Sequence, residues 1–424
     1  MTRGRVCLVT PSYISSTPRV AREADALTAA GFEVRVVFTQ GALQAPRAFD
    51  ADLLARRPWK HAAFRWSNEG AAERIAFHAT RVRHFVARSL PQASWPLPGV
   101  IERAEGRVYP ELARLAAAEP ADLFIGHYPD GLAAAAAAAR RHGAMLGYDV
   151  EDLYADCPFD GPDAEKARQR ILSIERRYVG RCSHVSIVSG PIAQIFAERY
   201  PGTRPVVVHN CHPWADRVTA IAERVERFPG LSLYWYSQQI GLNRGIQDAI
   251  RAIGLVGAPI HLHLRGSLPA EVRDELERCA RDCGATTALH FETSIPPDRL
   301  LPNAMAYDIG LALETSRSIN YFKTVTNKIF FYMAAGLAVV ASDTEGQRSI
   351  LATAPGAGLL YTPRDVDTLA SQLAAWSQDP VALAKAKAAS LEAARTRWSW
   401  ERESQGLVEA VARVIAERRQ RLAI

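Results

Sequence analysis

Two basic side chains stand where a predicted strand or loop gives way to a helix. Arg244 lies in the first turn of a predicted helix that follows strand 231–236, with Asn243 as the candidate N-cap. Lys328 lies in the first turn of a second predicted helix that begins at Thr326-Asn327. A helix N-terminus carries about half a positive charge, so a cation there costs roughly 0.3 to 1 kcal/mol unless an anion binds nearby. Two such positions in one half of the chain predict a diphosphate site. The alternative is that both side chains extend into water.

Polar side chains also follow two predicted strands in the first half of the chain. His127 follows strand 122–126, and Asp149 and Glu151 come at the end of strand 145–149. Because the carboxyl ends of parallel strands meet at one edge of a sheet, we expect these side chains near a ligand. They could orient a sugar or accept a proton. A hydrogen-bonded structural histidine beside solvated loop acids is the alternative.

The elements that must position these residues alternate along the whole chain. Short β-rich apolar runs are followed by alanine-rich helical patterns, which is typical of βαβ units and predicts an α/β fold with parallel sheets. The pattern completes one Rossmann-like half and then restarts, so we predict domains at residues 1–210 and 211–396, with residues 397–424 as a terminal helix. Two facing halves of this kind should hold a ligand in the cleft between them.

Composition sets the class of protein. The chain has 424 residues, of which 48% are hydrophobic and 23% charged, and this composition predicts two or three globular domains. The longest apolar run, residues 132–139, is far shorter than a bilayer span, and no secretory signal is visible, so we expect a cytoplasmic protein. The six scattered cysteines favour reduced thiols, and the net charge of +6 does not require nucleic acid as a partner.

The net positive charge of the chain is concentrated between residues 54 and 90. Eight arginines and lysines stand there against Glu69 and Glu73, with aromatic residues such as Trp66 and Phe85 between them. Cations interleaved with aromatic side chains suit an anionic membrane surface or a charged polymer. The equally supported alternative is a solvated basic face.

Several nucleotide and metal motifs are missing from the sequence. There is no Gly-x-x-x-x-Gly-Lys-Ser/Thr loop and no Gly-x-Gly-x-x-Gly after the first strand, which argues against P-loop hydrolysis and standard dinucleotide binding. Two pairs of aspartates have a spacing that other transferases use to bind a metal, Asp50-Ala-Asp52 and Asp365-Val-Asp367. In the second pair, Asp365 is more simply explained as a helix N-cap and Asp367 as an acid in the first turn of that helix. We therefore expect neither a metal ion nor a cofactor.

Five segments resemble one family, the retaining nucleotide-sugar glycosyltransferases of the two-Rossmann GT-B fold, specifically glycosyltransferase family 4. The resemblance covers nearly the whole chain. The segments are Val9-Thr-Pro-Ser-Tyr13 with Pro18-Arg-Val-Ala-Arg-Glu-Ala24, Ala29-Ala-Gly-Phe-Glu-Val34, Val208-His-Asn210, Lys328 to Gly336 with Ala338-Val-Val-Ala-Ser-Asp343, and Trp398-Ser-Trp-Glu401. The resemblance implies an acceptor-side first domain, a donor-binding second domain, and a terminal helix that returns to the first domain.

The resemblance also implies roles for individual residues. The family's Arg and Lys that bind the donor diphosphate fall on Gln238 or Gln239 and on Arg244, and the two acids of its Glu-x7-Glu pair fall on Lys323 and Phe331. The residues expected to bind the donor are Gln238, Gln239, Arg244, Asn327, Lys328 and Glu314, with Asn320 as another substitute for the missing acids. The residues expected on the acceptor side are Tyr13, Arg19, Asp149 and Glu151. His127, Arg244 and Lys328 are the expected catalytic residues.

These residues predict the transfer of a sugar from a nucleoside diphosphate donor to a hydroxyl acceptor, either a glycan or polysaccharide or a lipid-linked acceptor. Retention of configuration is implied by the family resemblance. A nucleotide-sugar isomerase on the same fold and a catalytically inactive binding protein are the alternatives, because both family acids are replaced. A peripheral position at the inner face of the membrane is expected if residues 54–90 bind lipid.

Overall fold

The computed structural model describes residues 2–41, 44–67, 69–159, 161–221, 229–314 and 318–422. The chain forms two compact units. Residues 1–208 together with 404–424 form the N-terminal domain, and residues 209–403 form the C-terminal domain. Among the residues described, no helix is both long enough and apolar enough to cross a bilayer.

The N-terminal domain is built on a parallel sheet of seven strands within the described residues. Its strands are β1 (Arg5–Val9), β2 (Glu33–Gln40), β3 (Lys60–Arg65), β4 (Leu123–His127), β5 (Met145–Val150), β6 (His184–Ile187) and β7 (Val206–Val207). Their order in the sheet is β3-β2-β1-β4-β5-β6-β7. The helices are α1 (Pro18–Ala29), α2 (Gln44–Leu54), α3 (Ala71–Ser89), α4 (Val100–Glu105), α5 (Tyr109–Ala116), α6 (Tyr128–His142), α7 (Ala164–Tyr178) and α8 (Gly190–Arg199).

Small residues bring helix α6 close to the centre of this sheet. A Cβ atom on Gly126 of β4 would lie 2.4 Å from the Cα of Leu132, so only glycine permits the approach. The alanines of α6 that face the sheet are buried. This packing fixes the turn between β4 and α6, where His127 is the last residue of the strand.

The C-terminal domain has its own parallel sheet, with six strands among the described residues. They are β8 (Leu231–Gln239), β9 (Ile260–Ser267), β10 (Leu289–Glu292), β11 (Ile309–Ala312), β12 (Ala338–Ser342) and β13 (Gly358–Tyr361), in the order β10-β9-β8-β11-β12-β13. The helices are α9 (Trp214–Thr219), α10 (Ile246–Val256), α11 (Ala270–Asp282), α12 (Pro297–Ala304), α13 (Ile319–Lys323), α14 (Asn327–Ala335), α15 (Glu345–Leu351), α16 (Val366–Gln378), α17 (Pro380–Thr396) and α18 (Trp400–Leu422). The part of α18 from residue 404 onward belongs to the N-terminal domain, where Arg418 pairs with Asp122.

Helix α14 lies against the middle of the second sheet because β11 carries a glycine. A Cβ atom on Gly310 would lie 2.1 Å from Cγ of Tyr332, which is buried in α14. Residues 329–335 of this helix are all buried. The first turn of α14, with Asn327 and Lys328, is thereby held at the carboxyl end of the sheet.

The predicted α/β architecture of two Rossmann-like domains is confirmed. The predicted start of helix α10 is wrong, because residues 242–244 form a 3-10 turn and Gly245, with a φ of +72°, precedes the helix. Arg244 therefore lies in front of α10 and not in its first turn. The side chain of the predicted N-cap, Asn243, lies outside the described residues. The N-cap role of Asp365 is confirmed, since its carboxylate accepts a hydrogen bond from the Thr368 amide.

Candidate active site

The most promising site in the C-terminal domain lies where its sheet changes direction. Strands β8 and β11 are neighbours, and the chain continues from β8 to β9 on one side and from β11 to β12 on the other. Open α/β sheets bind ligands at such a switch point, outside the carboxyl ends of the strands. The residues that follow these two strands here include Arg244 and Glu314.

Arg244 and Glu314 bridge the switch point. Arg244 Nη1 donates a hydrogen bond to Glu314 Oε2 at 2.8 Å. The Glu314 side chain is 3% exposed and the Arg244 side chain 35% exposed. The Glu314 amide donates to Ser342 Oγ at 3.0 Å, and the guanidinium lies 5.3 Å from the ring centre of Tyr321. The guanidinium is therefore held by a buried carboxylate, while about a third of the Arg244 side chain is exposed.

Lys328 lies in the same site and has an unusual pKa. Its Nζ lies 5.3 Å from the ring centre of Trp235 and 6.0 Å from that of Tyr236. Burial lowers the pKa of the Lys328 amine to about 8, with Arg244 lowering it further and Glu314 opposing the shift. A lysine with this pKa titrates close to neutral pH and is ready to bind an anion.

The neutral residues predicted to bind the donor lie at the surface of this domain. Gln238 and Gln239 end strand β8 and are exposed, and Asn327 is exposed at the first position of α14. Asn320, by contrast, is 1% exposed within α13. The amide side chains at 238, 239 and 327 are thus placed to reach a ligand, and that of Asn320 is not.

The two positions that match the acids of the resembling family have a different chemistry here. Lys323 forms an ion pair with Glu345. Phe331 is 4% exposed and packs its ring against Tyr236, with ring centres 4.5 Å apart, and against His212 at 5.5 Å. These two positions therefore hold a cation and an aromatic ring in place of two carboxylates. Glu314 is the acid that pairs with Arg244 and raises the pKa of Lys328.

A buried charge cluster lies at the switch point of the N-terminal sheet, between β1 and β4. Arg19 Nε and Nη2 donate to the two oxygens of Asp149 at 2.7 and 2.8 Å, and Arg19 Nη1 donates to the Val208 carbonyl oxygen at 2.8 Å. Ser186 Oγ donates to Asp149 Oδ1. Although burial opposes ionisation of Asp149, Arg19 holds the pKa of this carboxyl far below its usual range.

His127 completes this cluster. Its Nε2 lies 3.0 Å from Glu23 Oε2, and its Nδ1 lies 3.3 Å from Asp149 Oδ2 and 3.9 Å from Glu151 Oε1. Burial alone would lower the pKa of His127, but the surrounding carboxylates raise it well above its usual value. The buried imidazole is therefore a cation at neutral pH.

Glu23, His127 and Asp149 lie close enough together to be compared with a metal site, since one ligand atom from each falls within 4.8 Å of the others. Both oxygens of Asp149 already accept hydrogen bonds from the Arg19 guanidinium. The raised pKa of His127 also disfavours the neutral imidazole that a metal requires. Two protonated side chains, Arg19 and His127, thus lie against these carboxylates.

The structure separates the predicted acceptor-side residues into two groups. Arg19 and Asp149, and the predicted catalytic residue His127 beside them, are at most 1% exposed and their polar groups face one another. Their predicted roles toward a ligand stay predictions. Tyr13 is partly exposed, and the Glu151 side chain is 17% exposed. Tyr13 and Glu151 are the members of the predicted set that a ligand can reach.

The sequence reasoning missed Glu23. It stands one helical turn after Arg19 in α1, and both side chains are buried among Val20, Ala24 and Leu27. Two opposite charges four residues apart on the apolar face of a helix are the signal that could have identified it.

Two family models match consecutive parts of the chain. Residues 16–211 match the model described as the glycosyl transferase 4-like domain. Residues 235–379 match the model described as glycosyl transferases group 1. No curated protein matches the sequence.

Solved structures share the fold at low sequence identity. HepE from Anabaena, solved in complex with UDP, is 14% identical over 96% of this chain and 99% of its own, with a TM-score of 0.65. Sucrose-phosphate synthase from Thermosynechococcus elongatus is 14% identical over 97% of this chain and 99% of its own, with a TM-score of 0.68. A glycosyltransferase from Rickettsia africae is 12% identical over 97% of this chain and 98% of its own, with a TM-score of 0.66.

Proposed function

Because the chain belongs to the GT-B glycosyltransferases, with a family 4-like first domain and a group 1 second domain, we propose that it transfers a sugar from a nucleoside diphosphate donor to a hydroxyl acceptor. The transfer proceeds with retention of configuration and without a metal ion. The acceptor is a glycan or a lipid-linked hydroxyl compound.

The observation that carries this proposal is the charge at the switch point of the C-terminal sheet. Two cations, Arg244 and Lys328, stand beside one buried carboxylate, Glu314, so the site has an excess positive charge. A departing nucleoside diphosphate gains negative charge as the glycosidic bond breaks. Cations fixed in advance stabilise that charge, which is the main electrostatic task of such a transfer.

Each of these residues has a separate role in the proposed mechanism. The open part of the Arg244 guanidinium binds the diphosphate, while Glu314 fixes its orientation and opposes the fall in the Lys328 pKa. Lys328 supplies the second positive charge, so the two side chains perform the neutralisation that a metal ion performs in other transferases. Gln238 and Asn327, which are exposed beside them, donate neutral hydrogen bonds to the donor.

On the acceptor side, we assign contact with the sugar or acceptor to Tyr13 and Glu151. His127 and Asp149 act as positioning residues, because they are buried and reach the surface only through their neighbours. The His127 imidazole Nδ1 lies 3.9 Å from Glu151 Oε1. The partly exposed Glu151 carboxylate is suited to accept a hydrogen bond from an acceptor hydroxyl.

A panel of sugar nucleotides tests the proposal. HepE has been solved with UDP-glucose, so UDP-sugars are the first members of the panel. Binding should raise the melting temperature of the protein, because a ligand that binds only the native state stabilises it. The donor found in this way should release its nucleoside diphosphate slowly by hydrolysis and faster with a suitable acceptor. Stabilisation without any nucleotide release, or conversion of the sugar while it stays attached to the nucleotide, would contradict a transferase.

Donor affinity should decrease as pH rises through about 8, the pKa of Lys328. The sign follows from the chemistry, because the amine loses its charge above this pH while the diphosphate keeps its own. Each pH unit above the pKa of the free protein should weaken binding roughly tenfold until the pKa of the complex is reached. The melting-temperature shift with donor, measured across this pH range, provides the titration.

Two variants provide controls for this pH dependence. Glu314→Gln should move the decrease to lower pH, because it removes a carboxylate that raises the Lys328 pKa. Lys328→Arg should remove the decrease, since a guanidinium stays charged throughout. An unchanged profile in both variants would show that another group titrates.

A further inference from the structure

Helix α3 of the N-terminal domain has one face packed against its own domain and one face exposed to solvent. Residues 73, 76, 77, 80, 83, 84 and 87 face inward and are buried or partly buried. Glu73, the only acid of this helix, is on that inner face and pairs with Arg47. The outer face therefore carries no carboxylate from the helix itself.

The outer face is made of two adjacent rows of residues. One row is apolar, and its large members Ile75, Val82 and Val86 are 70%, 63% and 53% exposed. The helical period places Ala79 in the same row. Single exposed apolar side chains are ordinary, but a contiguous apolar row is typical of a binding surface.

The neighbouring row is basic. Arg74, His78, Arg81, Phe85 and Arg88 follow one another at spacings of four and three residues, and Phe85 is 71% exposed. Within the described ranges, none of the three arginines takes part in an ion pair. An uncompensated cationic row beside an apolar row is the pattern of a helix that lies in a membrane interface.

A basic cavity opens at the carboxyl end of the same helix. It has a volume of about 480 Å³ and is lined by residues of α3 and α7, including Arg81, Arg88, Lys166 and Arg170, with Asp163 as the acid. Lys166 Nζ donates to the Arg88 carbonyl oxygen at 3.1 Å, which fixes this lysine at the end of α3. Arg170 is paired with Glu105 at 3.0 Å, which leaves Arg81, Arg88 and Lys166 against Asp163. Three cations against one carboxylate suit the phosphate of a lipid headgroup.

We propose that the outer face of α3 docks onto an anionic lipid bilayer. The apolar row and Phe85 enter the boundary between headgroups and acyl chains, the arginines contact headgroup phosphates, and the cavity between α3 and α7 holds one headgroup. This inference goes beyond the proposed function, because it concerns a lipid surface and needs neither donor nor acceptor. It would bring the enzyme to an acceptor that is carried by lipid.

Within the described part of residues 54–90, the exposed large apolar side chains all belong to α3, which confines the apolar part of the docking surface to that helix. Trp59 is 4% exposed and its indole donates to Asp25. Trp66 stacks on Phe77, and the Arg107 guanidinium lies 4.2 Å from its ring centre. Most of the interleaved aromatic residues thus support the fold and do not face outward.

Vesicle sedimentation of the full chain tests the docking surface. The protein should sediment with phosphatidylcholine vesicles that contain phosphatidylglycerol and stay in solution with phosphatidylcholine alone. High salt should weaken the binding, because it screens attraction between surface charges. Equal binding to both kinds of vesicle, or to neither, would overturn the proposal.

Two pairs of substitutions separate the contributions of the rows. Arg81→Gln with Arg88→Gln should weaken vesicle binding roughly thirtyfold, since each surface arginine contributes about a factor of five. Ile75→Ser with Val82→Ser should also weaken it, and the remaining binding should disappear at high salt. All four side chains are exposed, so neither pair of substitutions should change the melting temperature of the protein. The increase in melting temperature on donor binding should also be unchanged.

Matched substitutions elsewhere control for loss of charge and apolar surface. Arg413→Gln with Arg419→Gln removes two exposed arginines from α18, and Leu255→Ser with Val381→Ser removes two side chains that are 60% and 63% exposed. Neither pair should change vesicle binding. If Ile75→Ser with Val82→Ser instead dissolves a dimer and vesicles never bind, the face is an interface between copies and the proposal is wrong.

Discussion

Lys328→Met should lower kcat/KM for sugar transfer by about two to three orders of magnitude, the effect expected when one fixed electrostatic contact to a developing negative charge is removed. Methionine keeps an unbranched side chain over Trp235 and Tyr236, so packing should be preserved. The loss should appear in donor affinity as well as in kcat, because the amine contacts the diphosphate before and after bond cleavage. Steady-state rates and the melting-temperature shift with donor measure the two parts.

Arg244→Gln should also lower kcat/KM. When it is combined with Lys328→Met, the total loss in transition-state stabilisation should be smaller than the sum of the two single losses, because both cations act on one diphosphate. Lys60→Met is the matched control. This lysine pairs with Glu33 at the surface of the N-terminal domain, so its removal should change kcat/KM less than about threefold. Equal losses from positions 60 and 328 would show that net charge, and not a specific contact, is responsible.

The strands that hold the buried charge cluster of the N-terminal domain were predictable because they are buried. β4 and β5 read as short apolar runs, and their predicted bounds differ from the observed ones by one residue. Strand β3, Lys60–Arg65, was missed since it lies at the edge of its sheet with its charged residues exposed, so no apolar run marks it. Periodicity identifies an element only where one of its faces is buried.

The partners of the site residues could not be predicted from the sequence. Arg244 and Glu314 are 70 positions apart, and Arg19 and Asp149 are 130 apart. Their contacts depend on which strands are neighbours in each sheet, and sequence order does not determine that. The sequence indicated residue types at strand ends, while the sheet order decided which cation is exposed to a ligand and which is buried.

The position of Phe331 shows how a family pattern can mislead about chemistry. Its ring packs on Tyr236, which in turn lies beside Lys328. An acid at this place would stand within an aromatic cluster and would raise the pKa of the lysine. Burial instead keeps that pKa near 8, and a ring at position 331 adds no charge that would oppose the shift.

Asp149→Asn should lower the free energy of unfolding of the N-terminal domain by about 3 to 5 kcal/mol, the usual loss when one partner of a buried ion pair is removed. Asparagine would leave the Arg19 guanidinium and the His127 imidazolium buried with Glu23 and Glu151 as the remaining close acids, and burial raises the pKa of Glu23 toward its neutral form. Urea denaturation followed by far-ultraviolet circular dichroism gives the change in free energy.

Glu33→Gln is the control for the loss of a carboxylate, because Glu33 pairs with Lys60 at the surface and should contribute less than about 1 kcal/mol. Arg19→Lys separates charge from geometry, since lysine keeps the charge but cannot form two parallel bonds to Asp149. An intermediate loss in Arg19→Lys would show that the paired hydrogen bonds stabilise the domain beyond simple charge balance. If Asp149→Asn is as stable as the unaltered protein, the buried ion pair does not stabilise the domain. The cluster would then serve chemistry at the domain surface, and Glu151 would be the residue to test.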